Sequence, residues 1–426
     1  MRISKIVNRS YLEVNKYPRF DFKKKTIKPL NILKPLMYLL SVFEVKKRKS
    51  KVTKINFDKI KPPYFMFVNH NSFFDFKVAT LTMFPTVGSN IVAIDGFINR
   101  ELLLRAVGCI GKRKFTTDPH LIMNIKHIIK KKKGVVSIYP EARYSLLGTS
   151  SPLPDSLGKL VKLFDVPVLV LINSGHHLAQ PVWNLRKRKV ETSSTLTKLF
   201  DEEDLKKLSV EEINTKLKEA FYYDDYKYQK DHNILISEPF RAEGLHNPLY
   251  KCPVCGSEEH MNSKGTNLFC EKCGASWYMN ELGGLEHPTK PFPHIPTWFE
   301  WQRQVVSFEI KNNKYHYEEE VMIESLPNSK GFYRIGKGKL THSLDGFILT
   351  LDGLEEPLIK NRPLENFGAH IEYNYFGKGN LVSLSTERDT YYIYPINQKK
   401  SVTKLHFAAE ELYTYTKAQL VEKKNV

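Results

Sequence analysis

The stretch Phe65-Met66-Phe67-Val68-Asn69-His70-Asn71-Ser72-Phe73-Phe74-Asp75 decides how the first half of the chain is read. An apolar run ends in a polar turn that carries a histidine, and a carboxylate follows five positions later. On one continuous helix His70 and Asp75 lie about 140° apart, because each residue turns by about 100°, and their side chains cannot meet. If the run from Tyr64 is a strand and a helix begins near Ser72, His70 sits in the turn and Asp75 in the first helical turn, and the two converge. A carboxylate can then fix the tautomer of the imidazole, which becomes able to take a proton from a hydroxyl. The spacing alone is common: with Asp at roughly 5% of residues, the 14 histidines of the chain yield about one such pair by chance. Ser72-x-x-Asp75 is also close to a capping box, in which Asp75 merely satisfies the helix N-terminus.

Three further segments follow in order. Leu104-Arg105-Ala106-Val107-Gly108-Cys109-Ile110-Gly111-Lys112-Arg113 is an apolar, glycine-containing run that ends in basic residues. Val135-Val136-Ser137-Ile138-Tyr139-Pro140-Glu141-Ala142-Arg143-Tyr144-Ser145 is a second apolar run ending in a charged turn. Gly158 to Val161, then Val166-Pro167-Val168, form the last. With Asn69-His70-x4-Asp75 these segments resemble the four blocks of the glycerophospholipid acyltransferase family, which includes lysophosphatidic acid and glycerol-3-phosphate acyltransferases. The resemblance covers about residues 55–240. It departs from the family in the third block, usually Phe-Pro-Glu-Gly-Thr-Arg-Ser, where Ala142 stands for glycine, Arg143 for threonine and Tyr144 for arginine. In the fourth block Leu169 replaces a common second proline.

The resemblance implies an α/β catalytic domain of the glycerolipid acyltransferase type. Its acyl donor would be acyl-CoA, acyl carrier protein or an acyl phosphate, and its acceptor a lysophospholipid such as 1-acyl-glycerol-3-phosphate. The donor is already activated, so the chemical task is to deprotonate the acceptor hydroxyl. His70 would be the general base and Asp75 would orient it. Arg113 and Arg143 would hold phosphate through their planar, two-pronged guanidinium groups. Glu141 would contact the acceptor or order the arginines. Gly88 and Gly134 form no Gly-x-Gly phosphate loop, so nucleotide binding is not indicated.

The chain of 426 residues is long enough for two or three domains and carries a net charge of +19. Residues 1–61 hold 18 Lys/Arg and 4 Asp/Glu, and so most of that excess. This suits an anionic membrane surface or nucleic acid. Between the basic runs 23–25 and 46–49, Leu30, Ile32, Leu33, Leu36, Met37, Leu39, Leu40, Val42 and Phe43 have the spacing of an amphipathic helix. Pro29, Pro35, Lys28 and Lys34 interrupt it, which makes it too short and too charged to span a bilayer. It reads as a helix lying in the membrane interface. With no signal peptide apparent, this points to the cytoplasm, peripheral on the inner face of the cell membrane.

Cys252-x2-Cys255-Gly256 and Cys270-x2-Cys273-Gly274 supply four thiolates in two tight turns, the pattern of a structural zinc ribbon. The surrounding Glu258, Glu259, Glu271, Glu281 and Glu286 disfavour nucleic acid as its partner. Cys109 reads as a core thiol. Beyond a proline-rich stretch, short apolar runs at 305–310, 319–323, 338–342, 347–351, 369–373, 381–385 and 391–394 predict strands, and 404–420 a closing helix. That order is similar to a pleckstrin-homology fold. The expected organisation is a basic amphipathic membrane-associating segment (1–54), the acyltransferase domain (55–245), the ribbon (246–286), a linker (287–297) and a mainly-β domain with a C-terminal helix (298–426). Two other functions compete with acyl transfer: a non-catalytic lipid-binding protein on the same fold, and a zinc-ribbon nucleic-acid binder.

Overall fold

A computed structural model describes residues 6–57, 60–116 and 118–425. The apolar run Tyr64–Val68 is a strand buried on both faces, at the centre of a seven-stranded sheet. Continuous rather than alternating hydrophobicity is what a parallel strand covered by helices requires. The strands run in the order Lys51–Ile55, Ser193–Phe200, Val168–Ser174, Tyr64–Val68, Val135–Ile138, Ser89–Ala93 and Ile110–Lys112. The last five are mutually parallel, and Ser193–Phe200 is antiparallel to Val168–Ser174. The C-terminal ends of Tyr64–Val68, Val135–Ile138 and Val168–Ser174 therefore open on one edge, where ligands gather in sheets of this kind. Helix Val210–Ala220 begins at a capping box formed by Ser209 and Glu212.

The second sheet is antiparallel, in the order Ile359–Asn361, Gly346–Leu351, Tyr333–Ser343, Tyr317–Ser325, Thr390–Pro395, Leu381–Ser385 and His370–Glu372. Helix Val402–Asn425 closes it through Leu405, Phe407, Ala408, Ala409 and Leu412. The strand predicted at 305–310 does not form. Those residues belong to helix Ile295–Lys311, whose Trp298, Phe299, Gln302, Val306 and Ile310 are buried at helical spacing. Pro296, read as part of a linker, stands in the first turn, where a missing N–H costs nothing. Phe292 exchanges two backbone hydrogen bonds with Leu285 and its ring meets Trp298 at 4.7 Å, so the 287–297 stretch is packed rather than free.

One hydrophobic core crosses these units. It includes Val14 near the N-terminus, Leu146, Leu178 and Trp183 of the α/β unit, Leu268 and Trp277 of the ribbon, and Trp298, Val321 and Leu405 beyond it. Residues 7–8 also pair with Tyr333 and Arg334 as an extra strand. In helix Lys34–Lys47 only Met37 and Ser41 are buried, while Leu36, Leu39, Leu40 and Phe43 form an exposed apolar stripe. Among the described residues no helix is long and apolar enough to cross a membrane.

Candidate active site

Helix Phe74–Thr82 follows the Tyr64–Val68 strand after a turn at residues 69–73, and the geometry required of His70 and Asp75 is met. His70 Nδ1 lies 3.2 Å from Asp75 Oδ2. The same oxygen accepts the backbone N–H of Asn71 at 2.6 Å and of Ser72 at 2.9 Å. Asp75 therefore does both things the sequence allowed: it holds the turn and faces the imidazole. Burial opposes its ionisation, but hydrogen bonds from His176 and His70 outweigh this and lower it to about 2, so it is a carboxylate at neutral pH. The His70 side chain keeps 21% of its surface exposed. Its ring lies between Tyr139 and Tyr144, with centroids at 4.3 and 4.2 Å.

Glu141 lies within the third block, just beyond the Val135–Ile138 strand, and is buried. It accepts the His70 backbone N–H at 2.9 Å, the Ser151 N–H at 3.0 Å and the Tyr223 hydroxyl at 2.9 Å. Burial raises its carboxyl to about 7, only partly offset by these donors and by Arg143. In this arrangement Glu141 fixes the backbone of the His70 turn. Ala142 adopts a left-handed φ of 58°. That conformation explains why glycine suits the position.

Both arginines reach towards the C-terminal unit. Arg113 donates from Nη1 to Leu326 O and Thr390 Oγ1, and from Nη2 to Pro327 O and Arg388 O, at 2.8 to 3.3 Å. Arg143 Nη2 lies 2.5 Å from Glu410 Oε1 on the C-terminal helix. Glu410 also holds Arg303 at 2.6 Å. Burial works against the Glu410 charge, but Arg143, His406 and Arg303 hold its carboxyl far below the usual range. Removing the charge would leave two guanidinium groups facing each other in a desolvated site. Glu410→Gln is expected to cost about 3–5 kcal/mol, read by chemical denaturation; a loss below about 1 kcal/mol would show that the triad is not a structural tie. Cys109, within the second block, is buried, and burial pushes its thiol up to about 12.

The structure adds residues that the sequence did not single out. His176 Nδ1 lies 2.6 Å from Asp75 Oδ1, so two histidines share one carboxylate. Asn69 and Asn173 lace the ends of the two adjacent strands: Asn69 Nδ2 donates to Asn173 O at 2.9 Å, and Asn173 N–H donates to Asn69 Oδ1 at 2.7 Å. The available signal for His176 was its place two residues beyond Val168–Ser174, a strand parallel to the one that delivers His70.

The four cysteines come together with their ligand atoms within 4.8 Å of one another. The Cys252–Cys273 and Cys255–Cys270 sulfur separations are both 3.8 Å. A disulfide would need about 2.05 Å, whereas a tetrahedral zinc with Zn–S of about 2.3 Å sets sulfurs about 3.8 Å apart. Gly256 and Gly274, each at φ 74°, close the two turns through N–H bonds to the Cys252 and Cys270 carbonyls at 2.9 Å. The site fits a metal ion such as zinc. Trp277 anchors the ribbon by packing on Trp298 at 4.8 Å and donating to Lys290 O at 2.7 Å.

No protein-family model and no curated protein matches the chain. Among solved structures it is similar to the 1-acyl-sn-glycerophosphate (LPA) acyltransferase PlsC from Thermotoga maritima. The identity is 17% and the TM-score 0.34, over 47% of this chain and 80% of that one.

Proposed function

We propose that this protein transfers a fatty acyl group from an activated donor to the hydroxyl of a lysophospholipid such as 1-acyl-glycerol-3-phosphate. The observation that carries the reading is the contact of His70 Nδ1 with the buried Asp75 carboxylate at the C-terminal edge of a parallel sheet. In the proposed reaction, the acceptor hydroxyl oxygen attacks the acyl carbonyl carbon and its proton passes to His70 Nε2. The thiolate or phosphate of the donor departs and recovers the proton, and the Asp75 charge stabilises the imidazolium between the two steps. The four ordered sequence blocks support the same reading. Acyl-CoA, acyl carrier protein and acyl phosphate all fit this chemistry as donors. Arg113 and Arg143 stay in the proposal as phosphate holders at a stated cost: each would have to leave its partners in the C-terminal unit. That commitment favours a second reading, a lipid-binding protein without turnover. Purified protein incubated with acyl donors and a panel of lyso-lipids, with ester product followed by mass spectrometry, separates the two. Product from any pair removes the second reading, and its absence across the panel removes the first.

The site would meet its lipid at an anionic bilayer surface, on the cytoplasmic face. The support is the exposed stripe Leu36, Leu39, Leu40 and Phe43, bordered by Lys34, Lys46 and Lys47. Leu40 and Phe43 are 61% and 67% exposed, so changing them disturbs little packing. The double substitution Leu40→Glu and Phe43→Glu is expected to weaken binding to anionic vesicles by at least about tenfold, since each buried apolar side chain contributes about 1.5–3 kcal/mol. Unchanged sedimentation with vesicles would move the membrane contact elsewhere. The C-terminal sheet and helix keep a pleckstrin-homology-like reading as part of this proposal.

A further inference from the structure

His176 occupies the short helix His176–Ala179 just beyond the Val168–Ser174 strand, and its side chain is fully buried. To donate from Nδ1 to Asp75 Oδ1, the ring must carry its proton there. Nε2 is buried and has no hydrogen-bond partner among the described residues. The ring packs against Phe74 with centroids 4.7 Å apart. Among the described residues, the one polar engagement of the ring is thus Asp75. On the other side of that carboxylate, Oδ2 is shared by three donors, and the contact with His70 at 3.2 Å is the longest of them. A carboxylate turns about its last torsion within a broad, two-fold preference. The longest bond is the one most exposed to that rotation, and the donor on Oδ1 opposes it.

Resting on the acyl-transfer reading, we infer that His176 is a positioning residue for the reaction. It clamps Asp75 Oδ1 so that Oδ2 faces His70 Nδ1, which holds His70 in the Nδ1–H tautomer with its Nε2 lone pair available to the acceptor hydroxyl. An imidazole without a fixed partner samples both tautomers, and only one of them leaves Nε2 as the base. The Asn69–Asn173 lacing keeps the two histidine-bearing strand ends in register, so the clamp has a rigid frame.

The test uses the full chain labelled with 15N-histidine, as wild type, His176→Phe and His176→Asn. Phenylalanine keeps a ring and removes the donor; asparagine keeps an N–H donor near the Nδ1 position. His176→Leu replaces the phenylalanine variant if the larger ring disturbs packing. Two quantities are read: the His70 tautomer from the 15N spectra, assigned by loss of its signals in His70→Ala, and turnover with the donor and acceptor that the wild type uses. In His176→Phe the Nδ1–H tautomer is expected to give way to a mixture, with kcat falling about 10- to 100-fold and KM within about twofold. His176→Asn is expected to keep the tautomer and most of the turnover. A His70 that stays wholly Nδ1–H in His176→Phe overturns the inference, whatever the turnover. Absence of turnover in the wild type overturns the acyl-transfer reading instead, while the tautomer measurement still decides the clamp.

Discussion

Replacing His70 with alanine is expected to lower kcat by about 100- to 10,000-fold, the range lost when a positioned general base is removed. The fold should survive. The imidazole is 21% exposed and packs on Tyr139 and Tyr144, and Asp75 keeps its contacts with Asn71, Ser72 and His176 without it. The backbone bonds of His70, an N–H donated to Glu141 and a carbonyl O that accepts from the Ser145 N–H, do not depend on the side chain. KM should change little, because on the proposed reading the ring would act on the proton in flight rather than on the bound headgroup. Asp75→Ala is a different experiment. It also releases the Asn71 and Ser72 N–H groups and leaves His176 without its acceptor, so it should lower stability together with turnover. A His70→Ala variant that kept kcat within about tenfold of wild type would exclude His70 as the base.

The second large effect concerns the metal. Removing zinc is expected to abolish the ribbon fold and to lower the melting temperature of the whole chain. Structural zinc supplies about 10–16 kcal/mol of apparent binding energy in isolated finger peptides. A four-stranded sheet of two- to four-residue strands has little core of its own. Leu268, Trp277 and Met279 belong to the same core as Trp298 and Leu405, so their loss would be felt in the helices that close the C-terminal sheet. Metal analysis should find one zinc per chain, lost on treatment with a strong chelator and in Cys252→Ser. Chelation that left both the melting temperature and the near-ultraviolet spectrum of the tryptophans unchanged would contradict a structural role.

Much of this was legible in the sequence where local patterns carry the physics. A continuous apolar run ending in a polar turn can only be a buried strand or a buried helix segment, and the His70–Asp75 convergence selects the strand. The two Cys-x2-Cys-Gly turns encode their own geometry. What misled was helix Ile295–Lys311. Its C-terminal half has apolar residues at 305, 306, 308 and 310, which imitate alternation, and the buried Gln302 interrupts the helical stripe. Gln302 is buried because it bonds Lys251 N–H and Pro248 O across the unit boundary, a fact with no local signature. The strand Ile359–Asn361 has three residues and too little pattern to detect. Long-range partners were the other blind spot. Nothing near Arg143 announces Glu410, 267 positions away, and nothing near Arg113 announces carbonyls more than 200 positions away. The same holds for the His176–Asp75 contact across 101 positions.

The measurement that bears most directly on the central claim is lipid mass spectrometry of cells carrying either intact His70 or His70→Ala at equal protein levels. The substitution is expected to deplete one acylated phospholipid class and to accumulate the matching lyso-lipid, which would also name the acceptor. Identical lipid profiles in the two strains, with the wild-type protein present and folded, would contradict that claim.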